Sequence, residues 1–150
     1  MELAKAMTPR VEHLQTEMLE RIAARPPWTE RMTSPGVHAD FVAVTSAVVA
    51  RFVRLIGTSA AVFGERDRAR FRDLGAGEAR EGRGLEELLA AYRIGTRVLY
   101  TEFAHELARL DPSPDTQVAL GEAVFALADT LQGESADGYA QEISTHTGER

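Results

Sequence analysis

The amino-acid sequence predicts an all-α fold, a bundle of about five helices, on three observations. Apolar residues recur at three- and four-residue spacing along most of the chain, as helices with one buried face require. Three helix entries share one punctuation, Thr8-Pro9, Ser34-Pro35 and Ser113-Pro114. In each, a hydroxyl can accept an orphan backbone N–H, and the adjoining proline gives up no needed donor. No stretch alternates apolar and polar residues as a strand would, and no internal repeat is evident.

The first helix is expected from about Thr8 to Ala24, where Val11, Leu14, Met18 and Ile22 form one stripe and Pro26-Pro27 ends it. Trp28 to Ser34 reads as a loop, with Trp28 free to pack back on the core. The second helix runs from about Pro35 to Ile56. Val37, Phe41, Val44, Val48, Phe52 and Leu55 make one stripe, Val42, Val49, Val53 and Ile56 make another, and Gly57 is the stop. The third, from about Glu65 to Glu81, rests on Phe63, Phe71 and Leu74 as anchors and is weakened by Gly75, Gly77, Gly82 and Gly84, since a glycine costs up to about 1 kcal/mol in a helix interior. The fourth, Leu85 to Leu110, carries Leu85, Leu88, Tyr92, Leu99, Phe103, Leu107 and Leu110 on one side and Ala91, Ile94 and Val98 on a second. Asp111-Pro112 ends it. The fifth begins at Pro114 and is expected to about Leu131, with Leu120, Val124, Leu127 and Leu131 as its stripe and Phe125 beside them; Gly133 and Gly138 weaken the part beyond, which Tyr139 and Ile143 could continue.

With 150 residues, 44% hydrophobic and 27% charged, the chain suits a single domain, residues 1–150, with a real core. A net charge of −6 leaves no cationic surplus for phosphate backbones, so direct nucleic-acid contact is not expected. The arginines between Arg66 and Arg83 are interleaved with Glu65, Asp67, Asp73, Glu78 and Glu81, a mixed-charge face. The absence of cysteine removes disulfides, thiolate nucleophiles and thiolate metal sites. No signal peptide is visible. The apolar region Val37–Ile56 is interrupted by His38, Asp40, Arg51 and Arg54, which reads as a buried helix and not a membrane span. A cytoplasmic location is the expectation.

Motifs for catalysis or metal binding are missing. His13, His38, His105 and His146 form no pair at metal-ligand spacing, and the single Glu102-x-x-His105 lacks the second copy that a di-metal bundle needs. There is no nucleophile elbow. Gly75-Ala76-Gly77-Glu78-Ala79-Arg80 is only superficially like a phosphate loop, because it lacks a preceding strand and the lysine; its glycines fit close packing or a helix break better. No catalytic residue, metal or cofactor is therefore expected.

The fourth helix holds the candidate functional residues Tyr92, Arg93, Gly95 and Arg97. Arg93 and Arg97 are four apart and share a face between the two apolar stripes. Gly95 removes a side chain in mid-helix, which permits another helix to approach. Tyr92 lies in the main stripe and should be buried, with a partner for its hydroxyl. Two readings stand: the arginines pair with surface carboxylates and Gly95 is packing, or this face lines a dimer contact or a ligand pocket.

Leu74-Gly75-Ala76-Gly77-Glu78-Ala79-Arg80-Glu81-Gly82-Arg83-Gly84-Leu85, followed by Leu88-Leu89-Ala90-Ala91-Tyr92-Arg93-Ile94-Gly95-Thr96-Arg97, resembles the RsbRD-type N-terminal domain. Such domains stand at the front of PucR-like transcriptional regulators and RsbR-type stress-signalling co-antagonists. The close motif spans Leu74 to Phe103, and the flanking helix pattern fits. Gly84 stands where a serine would often cap the fourth helix; glycine is an adequate cap. The resemblance implies a helical, globin-like sensory domain without haem, a homodimer and a downstream effector domain. It carries over no catalytic residue. The reading is a non-catalytic signal-input and dimerisation domain of a bacterial transcriptional or stress-response regulator, its small-molecule ligand unnamed. The alternative is a stand-alone small-molecule or haem-binding helical sensor. The second apolar stripes of the second and fourth helices supply a further argument for the dimer, as surplus faces to be wrapped by the bundle or buried against a second copy.

Overall fold

The computed structural model describes residues 2–55 and 63–148. Among these the regular structure is helical throughout, with no strand, as the periodicity requires. The elements are α1 (Glu2–Met7), a 3₁₀ turn at Thr8–Arg10, α2 (Val11–Ala23), α3 (Trp28–Arg31), α4 (Pro35–Leu55), α5 (Glu65–Arg80), α6 (Glu86–Ala108) and α7 (Pro114–Gly148).

The start of the chain departs from expectation. Thr8-Pro9 does not open a helix, because the chain is already helical from Glu2. Thr8 Oγ1 donates back to the Ala4 carbonyl at 2.8 Å instead of capping the next turn. Leu3 and Met7, four apart, are buried in the core and explain why this short segment is held. The other two hydroxyl–proline pairs stand where helices begin, at Pro35 and Pro114. Ser113 is a true cap: its Oγ accepts the Thr116 N–H at 3.2 Å.

The expected loop after Pro27 begins with the helical turn α3. It is anchored by Trp28, which is 2% exposed, meets Phe41 edge-on with ring centroids 4.9 Å apart and donates Nε1–H to the Glu87 carbonyl at 2.9 Å.

Helix α4 is long and apolar enough, by length and composition, to cross a membrane. Its packing is that of a core helix. Phe41, Val44, Val48, Val49, Phe52 and Val53 are buried, Phe52 meets Phe103 of α6 edge-on at 4.9 Å, and Arg51 pairs with Asp67 of α5 at 3.4 Å. Ile56 and the Gly57 stop lie outside the described residues. Most of the described part of the second stripes of α4 and α6 is covered within the chain: Val49, Val53, Ala91 and Val98 are buried and Ile94 is half-buried against the core, whereas Val42 is exposed. The covered residues therefore do not themselves require a second copy.

The largest correction concerns α7, which continues past Leu131 through Gly133 and Gly138 to Gly148. The local cost of two glycines is outweighed by what Gly138 allows. A Cβ at Gly138 would collide with the Arg72 backbone, and one at Gly75 with the Ser135 backbone. Helices α5 and α7 therefore cross in direct backbone contact. Gly75 sits inside α5 for the same reason and does not break it. Of the two readings for that glycine, close packing holds. Helix α6 ends at Ala108, leaving Leu110 exposed, and Asp111 turns the chain in the left-handed region at φ 50°.

Candidate functional site

Three helices meet at Tyr92. The stripe on α6 buries its ring, and its hydroxyl shares a 2.7 Å hydrogen bond with Ser135 Oγ of α7. Ser135 Oγ also donates to the Phe71 carbonyl of α5 at 2.9 Å. With that donor committed, the Tyr92 hydroxyl supplies the proton to Ser135. This chain of hydrogen bonds ties α6, α7 and α5 at the glycine crossing, where Ser135 is fully buried. Burial, with a smaller contribution from the nearby Glu78 carboxylate, pushes the Tyr92 phenol well above its ordinary value.

That geometry is open to measurement. Ser135→Ala strands a buried phenol and is expected to cost about 1–3 kcal/mol, whereas Tyr92→Phe removes both the donor and its need and should cost nearer 1 kcal/mol. Because the folded-state phenol is raised, its stabilisation is complete below the unfolded value near 10 and is lost as pH climbs from there towards the folded value. Urea unfolding as a function of pH should show a decline above about pH 10 that is shallower in Tyr92→Phe. Equal slopes, or a more damaging Tyr92→Phe, would contradict the assignment.

Beside this junction lies a second cluster that sequence reasoning missed. Glu78 of α5, 5% exposed, accepts from Arg31 of α3 through Oε1. Arg83 reaches the same carboxylate, Nη2 to Oε1 at 3.2 Å and Nε to Oε2 at 3.3 Å. The Arg31 guanidinium lies 3.9 Å above the Trp28 ring centroid. Its Nε and Nη1 are buried and have no hydrogen-bond partner among the described residues. The cluster borders a cavity of about 780 Å³ between α3, α4, α5 and the start of α6, with Trp28, Phe41, Leu74 and Leu88 among its apolar walls. Glu78 and Arg83 both lie inside the glycine-punctuated motif, but nothing local in the sequence marks Arg31 as their partner.

The structure separates the four sequence-derived residues. Tyr92 and Gly95 face inward: Gly95 is buried on α2, where a Cβ would meet Met18 Cε at 3.5 Å and Ile22 Cδ1 at 3.7 Å, ordinary contact. Arg93 and Arg97 are exposed, as is Tyr100 on the same side of α6, and neither arginine has an ion-pair partner among the described residues. None of the four lines the cavity. Removing either arginine by Arg93→Ala or Arg97→Ala should leave stability within roughly ±0.5 kcal/mol, by thermal melting. A loss of several kcal/mol would show a buried pairing that this arrangement lacks.

The other titratable groups singled out in the sequence are occupied or exposed. Glu102, of the Glu102-x-x-His105 pair, binds Arg10 at 2.7 Å, and Arg10 also pairs with Glu106. His13, His38 and His105 are exposed, and none lines the cavity. The His146 side chain is outside the described residues. Among those described, no group of three histidine, aspartate or glutamate side chains is placed to hold a metal.

The sequence profile of the RsbT co-antagonist protein rsbRD N-terminal domain matches residues 12–150. The chain belongs to this family. No curated protein and no solved structure matches it. The rsbRD N-terminal domain is a stress-signalling regulatory domain. The match takes in both the Tyr92 junction and the Arg31–Glu78–Arg83 cluster, so both belong to the family's own segment. In this rsbRD N-terminal domain the motif Leu74 to Arg97 does three jobs. Gly75 makes the helix crossing, Glu78 and Arg83 border the cavity, and Tyr92 locks the three helices together.

Proposed function

We propose that the chain is a non-catalytic signal-input and dimerisation domain of a bacterial transcriptional or stress-response regulator. The observation that carries this reading is the family match over residues 12–150. The site chemistry agrees with it. The buried carboxylate, Glu78, is committed to two guanidinium groups and is not poised as a base. The α5–α7 crossing, held by backbone contact and one hydroxyl chain, is an element that could hold two discrete packings and pass a bias to a downstream effector.

A homodimer has support in α7. Val118 and Phe125 lie seven apart on its outward side, 60% and 72% exposed, with Ala136 exposed on the same stripe. A phenylalanine left so open, aligned with further apolar surface, fits burial against a second copy. Light scattering should give twice the chain mass, and Phe125→Glu should give the single-chain mass with unchanged helicity. A single-chain mass for the unaltered protein at high concentration would overturn the dimer. Unchanged output of the regulator after Phe125→Glu would overturn dimerisation as part of signalling. The exposed Arg93–Arg97–Tyr100 face of α6 is the second surface available to a protein partner.

A further inference from the structure

We propose that a second pocket, between α4 and α5, binds a small phosphate-bearing molecule with two or more negative charges, held by Arg54, Arg66 and Arg70. The proposal deepens the signal-input reading and rests on it, since it names the class of signal. The pocket holds about 420 Å³, within the usual range for small-molecule sites, roughly 300–1,000 Å³. Four guanidinium groups line it, Arg51 and Arg54 from α4 and Arg66 and Arg70 from α5, against a single carboxylate, Asp67. Arg51 already holds Asp67, at 3.4 Å. Arg54, Arg66 and Arg70 have no ion-pair partner among the described residues.

The two helices explain the imbalance. On the α7 side of α5, Arg68 and Arg72 meet Glu134 at 4.0 and 2.5 Å. Arg66 and Arg70, one turn apart, share the α4 side, and α4 has one acid along its length, Asp40, which does not line the pocket. Arg66 and Arg70 also border the larger cavity, but they form no ion pair with its Asp40 or Asp73. The Arg51–Asp67 contact shows that side chains of the two helices meet at this level. Ser46, half-buried in the same pocket, does not bond back to its own helix as Thr45 and Thr96 do at 2.8 Å, and its hydroxyl has no partner among the described residues.

Like charges gathered in a concave site repel one another, concentrate the field and raise the local level of anions. Guanidinium groups match phosphate oxygens through paired N–H donors, and a phosphate monoester carries about −1.5 to −2 at neutral pH. A monocarboxylate would leave most of the pocket's charge unmatched. The chain as a whole carries −6, so an extended polyanion meets net negative surface beyond the pocket and a small one does not. Helix α5 also crosses α7 in backbone contact at Gly75, so an anion drawn against α5 acts on the element that would pass the signal on.

The test is calorimetric titration of the full chain with inorganic pyrophosphate and inorganic phosphate, with benzoate, hexaglutamate and sodium chloride at matched ionic strength as controls. The proposal expects saturable binding of pyrophosphate, weaker binding of phosphate, and a rise in Tm at millimolar pyrophosphate beyond that in the matched salt. Phosphate salts also stabilise proteins by exclusion from their surface, but that effect does not saturate and acts equally on variants. Arg66→Gln and Arg70→Gln each remove a like charge and no ion pair. Without ligand each should melt no lower than the unaltered chain, and each should bind pyrophosphate about tenfold or more weakly. Arg25→Gln, at an exposed arginine outside the pocket, changes net charge equally and should bind as the unaltered chain does. No saturable pyrophosphate binding at millimolar concentration overturns the proposal. So does full affinity in both pocket variants, an equal loss in Arg25→Gln, or binding of benzoate or hexaglutamate as tight as that of pyrophosphate. The hexaglutamate result would assign the patch to an acidic protein partner. Dimer mass and regulator output are measured independently, so loss of this proposal leaves the signal-input reading standing, and the converse also holds.

Discussion

Gly75→Ala and Gly138→Ala should each destabilise the chain by about 3 kcal/mol or more, the upper end of what overpacking costs. The reason is what the added carbon would meet. At Gly75 it lands on the Ser135 backbone, and at Gly138 on the Arg72 backbone. A flexible side chain can swing away from such a collision, but a helix backbone cannot. The two helices must separate along the crossing, and the Tyr92–Ser135–Phe71 hydrogen bonds are then stretched with them. For a chain of this size about 2–4 °C of Tm accompanies each kcal/mol, so a fall of about 6–12 °C or outright loss of cooperative melting is expected.

The control is Gly133→Ala. Gly133 lies in the same helix α7, exposed, and a methyl group added there would have nothing within 4 Å among the described residues. There alanine only lowers the entropy cost of helix formation and should stabilise by about 0.5–1 kcal/mol. The opposite signs of two chemically identical changes in one helix isolate the crossing from helix propensity. If Gly75→Ala and Gly138→Ala both melt within about 2 kcal/mol of the unaltered chain, the backbone contact is not what holds α5 to α7.

The same glycines show where sequence reading reaches its limit. The long stripes of α4 and α6 were legible because each records burial in its own period: Phe41, Val48 and Phe52, or Leu88, Tyr92, Leu99 and Phe103, repeat the spacing that places them in the core. The end of α7 was not legible. Gly133 and Gly138 carry a local penalty, and the compensation at Gly138 comes from Arg72, far away in the chain. Thr8-Pro9 misled for a related reason. A hydroxyl before proline suits a cap, but the same hydroxyl can bond back to the preceding turn, and buried Leu3 and Met7 decide between them. Tyr92 was legible as a buried phenol in need of a partner, but nothing in its own helix points to Ser135. Among 17 basic and 23 acidic residues, no local rule selects Arg31 for Glu78, which lies 47 positions away. Arg93 and Arg97 drew notice through their shared face, yet that face looks outward.

Glu78→Gln should cost about 3–5 kcal/mol, the usual penalty for leaving a buried charge without its partner. The substitution preserves volume and shape and removes one negative charge, so the effect is electrostatic. Arg83, with a side chain 40% exposed, can turn to solvent and contributes little to the loss. Arg31 cannot, because its guanidinium is pinned over Trp28 with two nitrogens already shielded from water. Replacing both charges, Glu78→Met with Arg31→Met, should restore much of the stability, since two apolar side chains fill the space and no charge is left buried. Urea unfolding of the single and double variants closes the cycle, and a Glu78→Gln loss below about 1 kcal/mol would show that the pair is effectively solvated.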